Sequence, residues 1–287
     1  MLAIGIAICV ISGAMPKAVE QIRRMRGGAQ AQLMRCLEGK GKDAAEAFYV
    51  VKFQNNPQHA RVLWNEYFGT RLALLIGLPA PQAAVVEVDK ELIGVSSELE
   101  IRIGHNATKC TAGQQFGSRY PGNPAQVAVF DFLPDEQLAE ADNLADFAGA
   151  LVFDKFTCNT NGRQAIFFRE PGRSRYTAQF IDFGFCFNAG EWNFPDAPLR
   201  GIYARHRVYQ YVTGMDSFAL WIERIEKRAT AAEMGRIAEE IPPEWYGADA
   251  AAVERLIEQL ERRRKKLPEL ILDARDSYRQ PFPNWTR

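Results

Sequence analysis

The chain has 287 residues, a hydrophobic content of 47%, and 35 basic side chains against 35 acidic ones. This length suffices for one large domain or for two lobes with a substantial core. The zero net charge excludes the globally basic character of many nucleic-acid binders, so any charge specificity has to be local. Five scattered cysteines without a CxxC pair argue against a disulfide scaffold or a zinc ribbon and favour reduced thiols in a cytoplasmic protein.

The chain opens with the apolar run MLAIGIAICVISGA, residues 1–14. This run is shorter than the about 20 residues that a membrane-spanning helix needs, and no Lys or Arg precedes it as in a signal peptide. Three interpretations stay open: an extension upstream of a true start at Met15, a membrane or export segment, and a buried or disordered tail. The first predicts that residues 1–16 stand outside the native fold, and no membrane partner is expected.

Strand and helix patterns alternate in the next part of the chain. Residues 18–35 contain short β-like runs around the turn RGGAQAQ, and 47–54, rich in aromatic and β-branched residues, predict a strand. Apolar residues from 62 to 76 recur at helical spacing, which begins after Asn-Asn-Pro and ends at Gly-Leu-Pro. Two more strands are predicted at 83–88 and 91–103. These elements predict a β-rich lobe around one helix.

The pattern becomes mainly helical in the second half of the chain. A long amphipathic helix is predicted over 135–157, followed by a hairpin of 163–170 and 175–185 around the turn PGRS. The chain is predicted to be helical from 208 onward, where many opposite charges stand four residues apart. The basic run RRRKK, 262–266, is interpreted as a solvated helix end.

Together these elements predict an α+β fold of two lobes. The N-lobe comprises residues 17–120, and the mainly helical C-lobe, which contains the hairpin, comprises residues 121–287. Ligands bind preferentially where two such units meet. We therefore expect the functional site between the lobes.

A turn with two glycines joins the first two predicted strands in the sequence MRGGAQAQL. Glycine lets backbone N–H groups approach an anion closely. Gly27, Gly28, Ala29 and Gln30 are therefore candidate ligands of a phosphate group. The alternative interpretation is a plain hairpin turn.

A lysine and a glutamate follow on the next strand and helix. Lys52 stands out from an otherwise apolar strand, and Glu66 lies fourteen residues later. A strand lysine and a helix glutamate can pair, which fixes the ammonium for contact with nucleotide phosphates. Taken singly, Lys52 could instead extend to water, and Glu66 could be a surface residue.

Asp182 lies between apolar and aromatic residues in the run AQFIDFGF. An isolated carboxylate in such surroundings is costly unless a positive group meets it. Mg²⁺, which is normally held by one or two carboxylates plus phosphate oxygens, would be such a partner. The glycine turn, strand lysine, helix glutamate and Asp-Phe-Gly occur in the order typical of protein-kinase-like folds.

Several runs of this chain resemble the HipA-like kinase family. They are GGAQAQLMRC, WNEYFGTRLALLIGLPAPQAAVVEV, GQQFGSRYPG, FDKFTCNTNGRQAIFF and IDFGFCFNAGEWNFPDAPLRGIY, and the resemblance extends over about residues 17–225. It implies a protein-kinase-like fold that binds ATP and Mg²⁺ and phosphorylates a hydroxyl of a protein, of a small molecule or of itself. Ser118, in the predicted loop 116–122, is a candidate for such autophosphorylation. HipA toxins act with a DNA-binding partner protein, but this chain has no helix-turn-helix, and no direct contact with nucleic acid is expected.

The presumed catalytic loop departs from the family pattern. The resemblance implies a catalytic Asp and, five residues later, a metal-binding Asn, where this sequence has Asn161 and Ile166. An amide does not accept a proton as a carboxylate does. Asp154 is a candidate for the missing base, Asn159 or Gln164 for the metal ligand, and Arg163 for a phosphate contact. In the alternative, Asp154 is a plain helix-end residue and Arg163 a surface residue.

Three functions therefore stay open. In an active kinase, Lys52 holds the phosphates and Glu66 orients Lys52. Asp182, with Gln164, binds the metal ion. In a pseudokinase, the chain binds nucleotide but transfers little phosphate, because Asn161 replaces the expected Asp. In a helical interaction protein, the C-terminal helix is the interface, and nucleotide has no effect on stability.

Overall fold

The structure, a computed structural model, describes residues 15–39 and 41–286. Residues 1–14 of the predicted extension 1–16 lie outside the described residues. Pro16 bonds to the fold, since its backbone oxygen accepts from the backbone N of Glu87 at 2.8 Å. A β-rich N-terminal region is followed by a mainly helical C-terminal region, which confirms the predicted α+β class. No helix in the described ranges is long and apolar enough to cross a membrane.

Strands predominate in the N-terminal region. In chain order its elements are β1 (Lys17–Arg24), β2 (Gln32–Glu38), β3 (Ala45–Lys52), α1 (Val62–Leu75), β4 (Ala83–Val88), α2 (Lys90–Val95), β5 (Glu100–Ile103), β6 (Asn106–Lys109) and β7 (Gly113–Arg119). One sheet with the order β1-β2-β3-β7-β4 closes into a barrel through parallel pairing of Lys17 with Glu87. β5 and β6 form a separate hairpin.

Helix α1 is buried on almost every side. Trp64, Phe68 and Leu72 are fully buried, and so are the polar residues Asn65 and Glu66. The helix contacts β4 and β7 of the barrel and also a helix of the C-terminal region. A helix surrounded in this way has little solvent face, so its polar side chains need partners inside the protein.

The predicted strand 91–103 is wrong in its first half. This stretch begins within α2 and reaches β5 only after a turn. Ile93 is buried whereas Val95 is 84% exposed, although residues two apart would share a face of a strand. Asp89 precedes α2 with an extended backbone (φ −72°, ψ 153°), which is the conformation that starts a helix.

The predicted loop 116–122 is also corrected, because β7 occupies its first half. Gly117 has no Cβ, and an added one would lie 2.4 Å from Val86 Cγ2 and 3.1 Å from Tyr49 Cδ1. The glycine here permits close packing of neighbouring side chains over the strand rather than marking a loop. Ser118 is consequently a strand residue.

Helices predominate in the rest of the chain. The elements are β8 (Val129–Phe130), α3 (Asp135–Ala139), α4 (Asp146–Thr157), β9 (Gln164–Phe168), β10 (Thr177–Ile181), α5 (Asp216–Arg228), α6 (Ala231–Glu239), α7 (Ala250–Arg263) and α8 (Leu267–Arg275). β8, β9 and β10 form a small antiparallel sheet, which confirms the predicted hairpin. α4 is buried along almost its whole length and contacts α5, α7 and α8.

The predicted helix 135–157 is interrupted between α3 and α4. In this connection, the backbone N of Asp142 donates to the backbone oxygen of Tyr176 at 2.9 Å. The side chain of Asn143 accepts from the backbone N of Ala178 at 2.8 Å and donates to its backbone oxygen at 2.9 Å. These bonds fix the connection against β10, so tertiary contacts override the local helical pattern.

The basic run 262–266 is not uniformly solvated, which corrects the interpretation as a solvated helix end. Arg263 is 5% exposed and donates to the backbone oxygens of Lys155 and Phe156 at 2.8 and 2.9 Å. Its guanidinium also pairs with the carboxylate of Asp196 at 2.9 Å. Arg263 therefore ties the end of α7 to the end of α4.

Gly149 in α4 lies against the indole ring of Trp221 in α5. An added Cβ would lie 2.3 Å from Trp221 Cε2, so Gly149→Ala should lower the free energy of unfolding by about 1–3 kcal/mol. Urea denaturation measures this change. Gly235→Ala in α6 is the matched control, because an added Cβ there meets nothing within 4 Å, and alanine should stabilise the helix by up to about 1 kcal/mol. Effects of the same sign would contradict the packing argument.

Candidate functional site

A cleft lies between the barrel and the β9–β10 hairpin. Its volume is about 270 Å³, close to the lower end of the range of ligand pockets. The walls come from the β1–β2 turn, from β3, β7 and α1, and from the hairpin with the loop before it. Both regions of the chain therefore contribute to one site.

Lys52, at the end of β3, lies between two carboxylates in this cleft. Its Nζ donates to Asp182 Oδ1 at 2.8 Å and also to Glu66 Oε1. The other oxygen of Glu66, Oε2, accepts from the backbone N of Phe183 at 3.0 Å. Lys52 is 8% exposed and Glu66 is 2% exposed. Lys52 and Glu66, which the sequence suggests as partners, are thus paired, and Asp182 lies beside them.

Opposing effects set the charges of this cluster. Burial alone would lower the pKa of Lys52, but the charges of Glu66 and Asp182 raise it above its ordinary value. Burial raises the pKa of Asp182, but the ammonium of Lys52 outweighs it and lowers that pKa to about 2. Burial raises the pKa of Glu66 against the attraction of Lys52. Lys52 therefore stays cationic and Asp182 anionic at neutral pH.

The hairpin register places Gln164 beside Asp182. Gln164, the first residue of β9, pairs with Ile181, and its Nε2 donates to Asp182 Oδ2. Asp182 has a left-handed backbone with φ of +63°, which Asp tolerates better than most residues. Carboxylate and amide oxygens are ligands that Mg²⁺ accepts. Within the described residues, no group of three or more His, Cys, Asp or Glu could hold a metal ion.

The β1–β2 turn borders the cleft through Gly27, Gly28 and Ala29. Gly27 has φ of +114°, a region that favours glycine, and an added Cβ at Gly27 or Gly28 meets nothing within 4 Å. The backbone is therefore open to a close approach. Gln30 turns away from the cleft, because its side chain bonds both backbone groups of Arg102 at 2.6 and 2.9 Å. It tethers the turn to the β5–β6 hairpin.

The loop between α4 and β9 brings Asn161 to the cleft, whereas three other candidates lie away from it. Asn161 is exposed, and its Oδ1 accepts from the backbone N of Gly162 at 2.9 Å. Asp154 and Arg163 instead form a buried pair, with guanidinium-to-carboxylate distances of 2.7 and 2.9 Å. Asn159 Nδ2 donates to Asp154 Oδ1 at 3.0 Å. Asp154, Asn159 and Arg163 do not line the cleft, so the structure does not place Asn159 as a metal ligand there.

The Asp154–Arg163 pair supports the site from the protein interior. Arg163 Nη1 donates to the backbone oxygen of Ile181 at 2.8 Å, and its guanidinium lies 4.5 Å from the ring centre of Phe183. The pair thereby holds both residues that flank Asp182. Burial raises the pKa of Asp154, although Arg163 opposes this. A carboxylate whose two oxygens are both engaged in this way is not free to accept a substrate proton.

Part of the cleft lining is apolar. Val50, Val129, Ile166 and Ile181 contribute to it, and such a surface suits a flat aromatic ring. Ile166 stands where the family resemblance implies a metal-binding Asn, so that ligand is absent at this position. Ser118 also lines the cleft, from β7.

Five polar residues of the cleft are missing from the candidates that the sequence suggests. They are Arg26 in the β1–β2 turn, Gln58 in the loop before α1, Thr70 in α1, Arg119 at the end of β7 and Tyr120 just after it. The run Asn-Asn-Pro-Gln predicts only the start of a helix. The one sequence feature that could have indicated Gln58 as a cleft residue is its position in the chain, between the strand lysine Lys52 and the helix glutamate Glu66.

Solved structures with a similar fold include that of the Helicobacter pylori proinflammatory kinase CtkA. It is 13% identical, with a TM-score of 0.54 over 91% of this chain and 98% of that chain, and this likeness shows a protein-kinase-like fold. Two structures of the Golgi casein kinase, one with Mn/ADP bound, are 12% identical. Their TM-scores are 0.48 and 0.46, over 92% of this chain and 73% and 72% of theirs. No curated protein matches the chain by sequence.

A family model described as HipA-like kinase matches residues 19–165. This range is just over half of the chain and runs from β1 to the start of β9. It contains the glycine turn, Lys52, Glu66 and Asn161. The chain therefore belongs to the HipA-like kinase family.

Proposed function

We propose that this protein uses ATP and Mg²⁺ to transfer the γ-phosphoryl group to a hydroxyl of a protein or small molecule, or of the chain itself. The observation that carries the proposal is the position of Lys52 Nζ between Glu66 and Asp182 in the cleft. In protein-kinase-like enzymes, a lysine fixed by a glutamate contacts the nucleotide phosphates, and an Asp-Phe-Gly aspartate binds the metal ion. In this proposal residues 17–120 are the N-lobe and 121–287 the C-lobe.

The donor set of the cleft fits a magnesium ion. Asp182 offers a carboxylate and Gln164 an amide carbonyl. Mg²⁺ commonly takes one or two protein carboxylates and completes its shell with water and phosphate oxygens. When bound, it supplies positive charge that neutralises the transferring phosphoryl group.

The other residues of the cleft would bind and orient the nucleotide. The ammonium of Lys52 holds phosphate oxygens, and Glu66 keeps that ammonium in place. The open backbone of Gly27 and Gly28 covers the phosphates, because glycine admits an anion close to its N–H groups. Asn161, exposed at the cleft, faces the acceptor hydroxyl. Positioning and charge stabilisation are the main requirements of phosphoryl transfer.

A pseudokinase is the second candidate function. The observation that favours it is that the described residues of the loop before β9 present no free carboxylate to the cleft. Asn161 is an amide, and Asp154 is buried against Arg163. Loss of a general base often lowers the rate by about 10²–10⁴-fold. A low rate of transfer can nevertheless persist, because the base is a minor part of phosphoryl-transfer catalysis.

Unfolding in urea with and without Mg²⁺-ATP tests nucleotide binding, which both candidate functions require. At a nucleotide concentration of about 100 times Kd, the free energy of unfolding should rise by about 2.7 kcal/mol. Lys52→Ala and Asp182→Ala should each abolish this rise, because they remove the phosphate and metal contacts. Lys17→Ala is the matched control, since its ammonium pairs with Asp89 outside the cleft, and this variant should retain the rise. No rise in the wild type would contradict both candidates and favour the helical interaction protein.

A further inference from the structure

The loop between β3 and α1 bonds to two other segments of the cleft. Asn56 Nδ2 donates to the backbone oxygen of Ala29 in the glycine turn at 3.0 Å. His59 Nε2 lies 2.8 Å from the backbone oxygen of Gly184, just after the Asp-Phe pair. Gln58 lies between these anchors, and its backbone N donates to Asn56 Oδ1 at 2.9 Å. The backbone of Gln58 is therefore held from both sides.

The side chain of Gln58 has a buried polar atom without a partner in the described residues. Gln58 lines the cleft together with Lys52 and Gly28. Its Oε1 is buried, and no residue in the described ranges donates a hydrogen bond to it. Native proteins nearly always satisfy buried carbonyl oxygens with protein, water or ligand, because an unpaired one is costly. With its backbone anchored at the cleft wall, the carboxamide of Gln58 can turn to meet a water or a group bound in the cleft.

We propose that the carboxamide of Gln58 binds the phosphate end of the nucleotide, an inference that rests on the proposed function. The segments that anchor its loop are the glycine turn and the segment after Asp182, which carry the proposed phosphate and metal contacts. This places Gln58 at the phosphate end rather than against the apolar lining. The N–H group of the carboxamide donates to a phosphate oxygen.

Gln58→Leu tests this inference, because leucine fills similar space without polar atoms. Mg²⁺-ATP should bind about 10- to 100-fold more weakly, since hydrogen bonds to charged groups are strong. Adenosine, which has no phosphate, should bind to the variant as to the wild type. The thermal midpoint without ligand should stay equal or rise, because a buried unpaired oxygen is removed. Isothermal titration calorimetry measures the affinities, and thermal unfolding supplies a second readout that needs no nucleotide.

Gln179→Leu is the matched control variant. Gln179 Oε1, in β10, is also buried without a donor among the described residues, but Gln179 does not line the cleft. Its replacement should leave the affinity for Mg²⁺-ATP unchanged. An equal loss of affinity in both variants would overturn the inference, because the effect would then not depend on the cleft.

Two further outcomes separate this inference from the proposed function. If the wild type binds Mg²⁺-ATP and Gln58→Leu binds it equally well, an ordered water satisfies Gln58 and this inference alone is overturned. A lower thermal midpoint of unligated Gln58→Leu would also overturn it, since the side chain would then have a structural partner. If the wild type and Lys52→Ala are alike in not binding Mg²⁺-ATP, the proposed function fails, and this inference fails with it.

Discussion

Asn161→Asp is expected to raise phosphoryl transfer by about 10²–10⁴-fold, which is the usual contribution of a general base. Asn161 lines the cleft and is exposed, so a carboxylate in its place would be accessible to an acceptor hydroxyl or to water. The affinity for Mg²⁺-ATP should change little, because the proposed phosphate and metal contacts come from other residues. Labelled ATP provides the measurement, through autophosphorylation and through release of free phosphate, since neither requires a known acceptor.

Two variants make this result specific to the loop. Asn161→Ala removes the amide without adding a base and should leave the low wild-type rate within a few-fold. Asn161→Asp combined with Lys52→Ala should return to background, because the new carboxylate acts only on correctly bound nucleotide. Asn161→Asp could bind Mg²⁺-ATP and yet transfer phosphate no faster than the wild type. In that case the missing carboxylate at position 161 does not by itself explain the low rate. The protein would then be better described as a pseudokinase.

The pairing of Lys52 with Glu66 could be predicted, because a strand lysine and a helix glutamate can pair in this order. For Asp182, which lies in an aromatic run, the sequence indicates a positive partner, and the predicted partner is Mg²⁺. Buried charges need partners of opposite sign, and in the structure the ammonium of Lys52 meets Asp182 directly. Their contact in the structure agrees with this argument, while their roles in nucleotide binding stay predictions.

Other partners could not be predicted, because the tertiary packing selects them. A carboxylate at the end of α4 could face the cleft or the interior. For Asp154 the packing around Gly201 decides between the two orientations. An added Cβ at Gly201 would lie 2.2 Å from Asp154 Cβ, so the backbone at Gly201 covers the side chain of Asp154 and keeps it in the interior. In the same way Arg263 meets Asp196 from 67 residues away, and no local spacing indicates that pairing. Local patterns predict strands and helices, whereas contacts distant in sequence depend on the packed fold.

Arg163→Met should lower the free energy of unfolding by about 3–5 kcal/mol, because one partner of a buried ion pair is removed. The side chains of Arg163 and Asp154 are 1% and 0% exposed, so water does not replace the guanidinium. Asn159 still donates to Oδ1, but Oδ2 loses the donor that it has in the wild type. Urea denaturation measures the loss. Arg262→Met, which breaks an exposed pair with Glu258, is the matched control and should cost less than about 1 kcal/mol.

The pH dependence of this loss separates uncompensated charge from lost packing. Burial raises the pKa of Asp154, Arg163 opposes the shift, and removal of Arg163 should raise that pKa further. A carboxyl whose pKa is raised on folding contributes stability below its unfolded pKa of about 4, and this stability is lost as the pH rises through the folded pKa. The deficit of Arg163→Met should therefore be smaller at about pH 5 than at about pH 8. Asp154→Leu in the same chain should restore much of the stability at the higher pH, because it removes the uncompensated charge. A deficit that is independent of pH and is not relieved by Asp154→Leu would mean that the packing of Arg163, and not its charge, stabilises the fold.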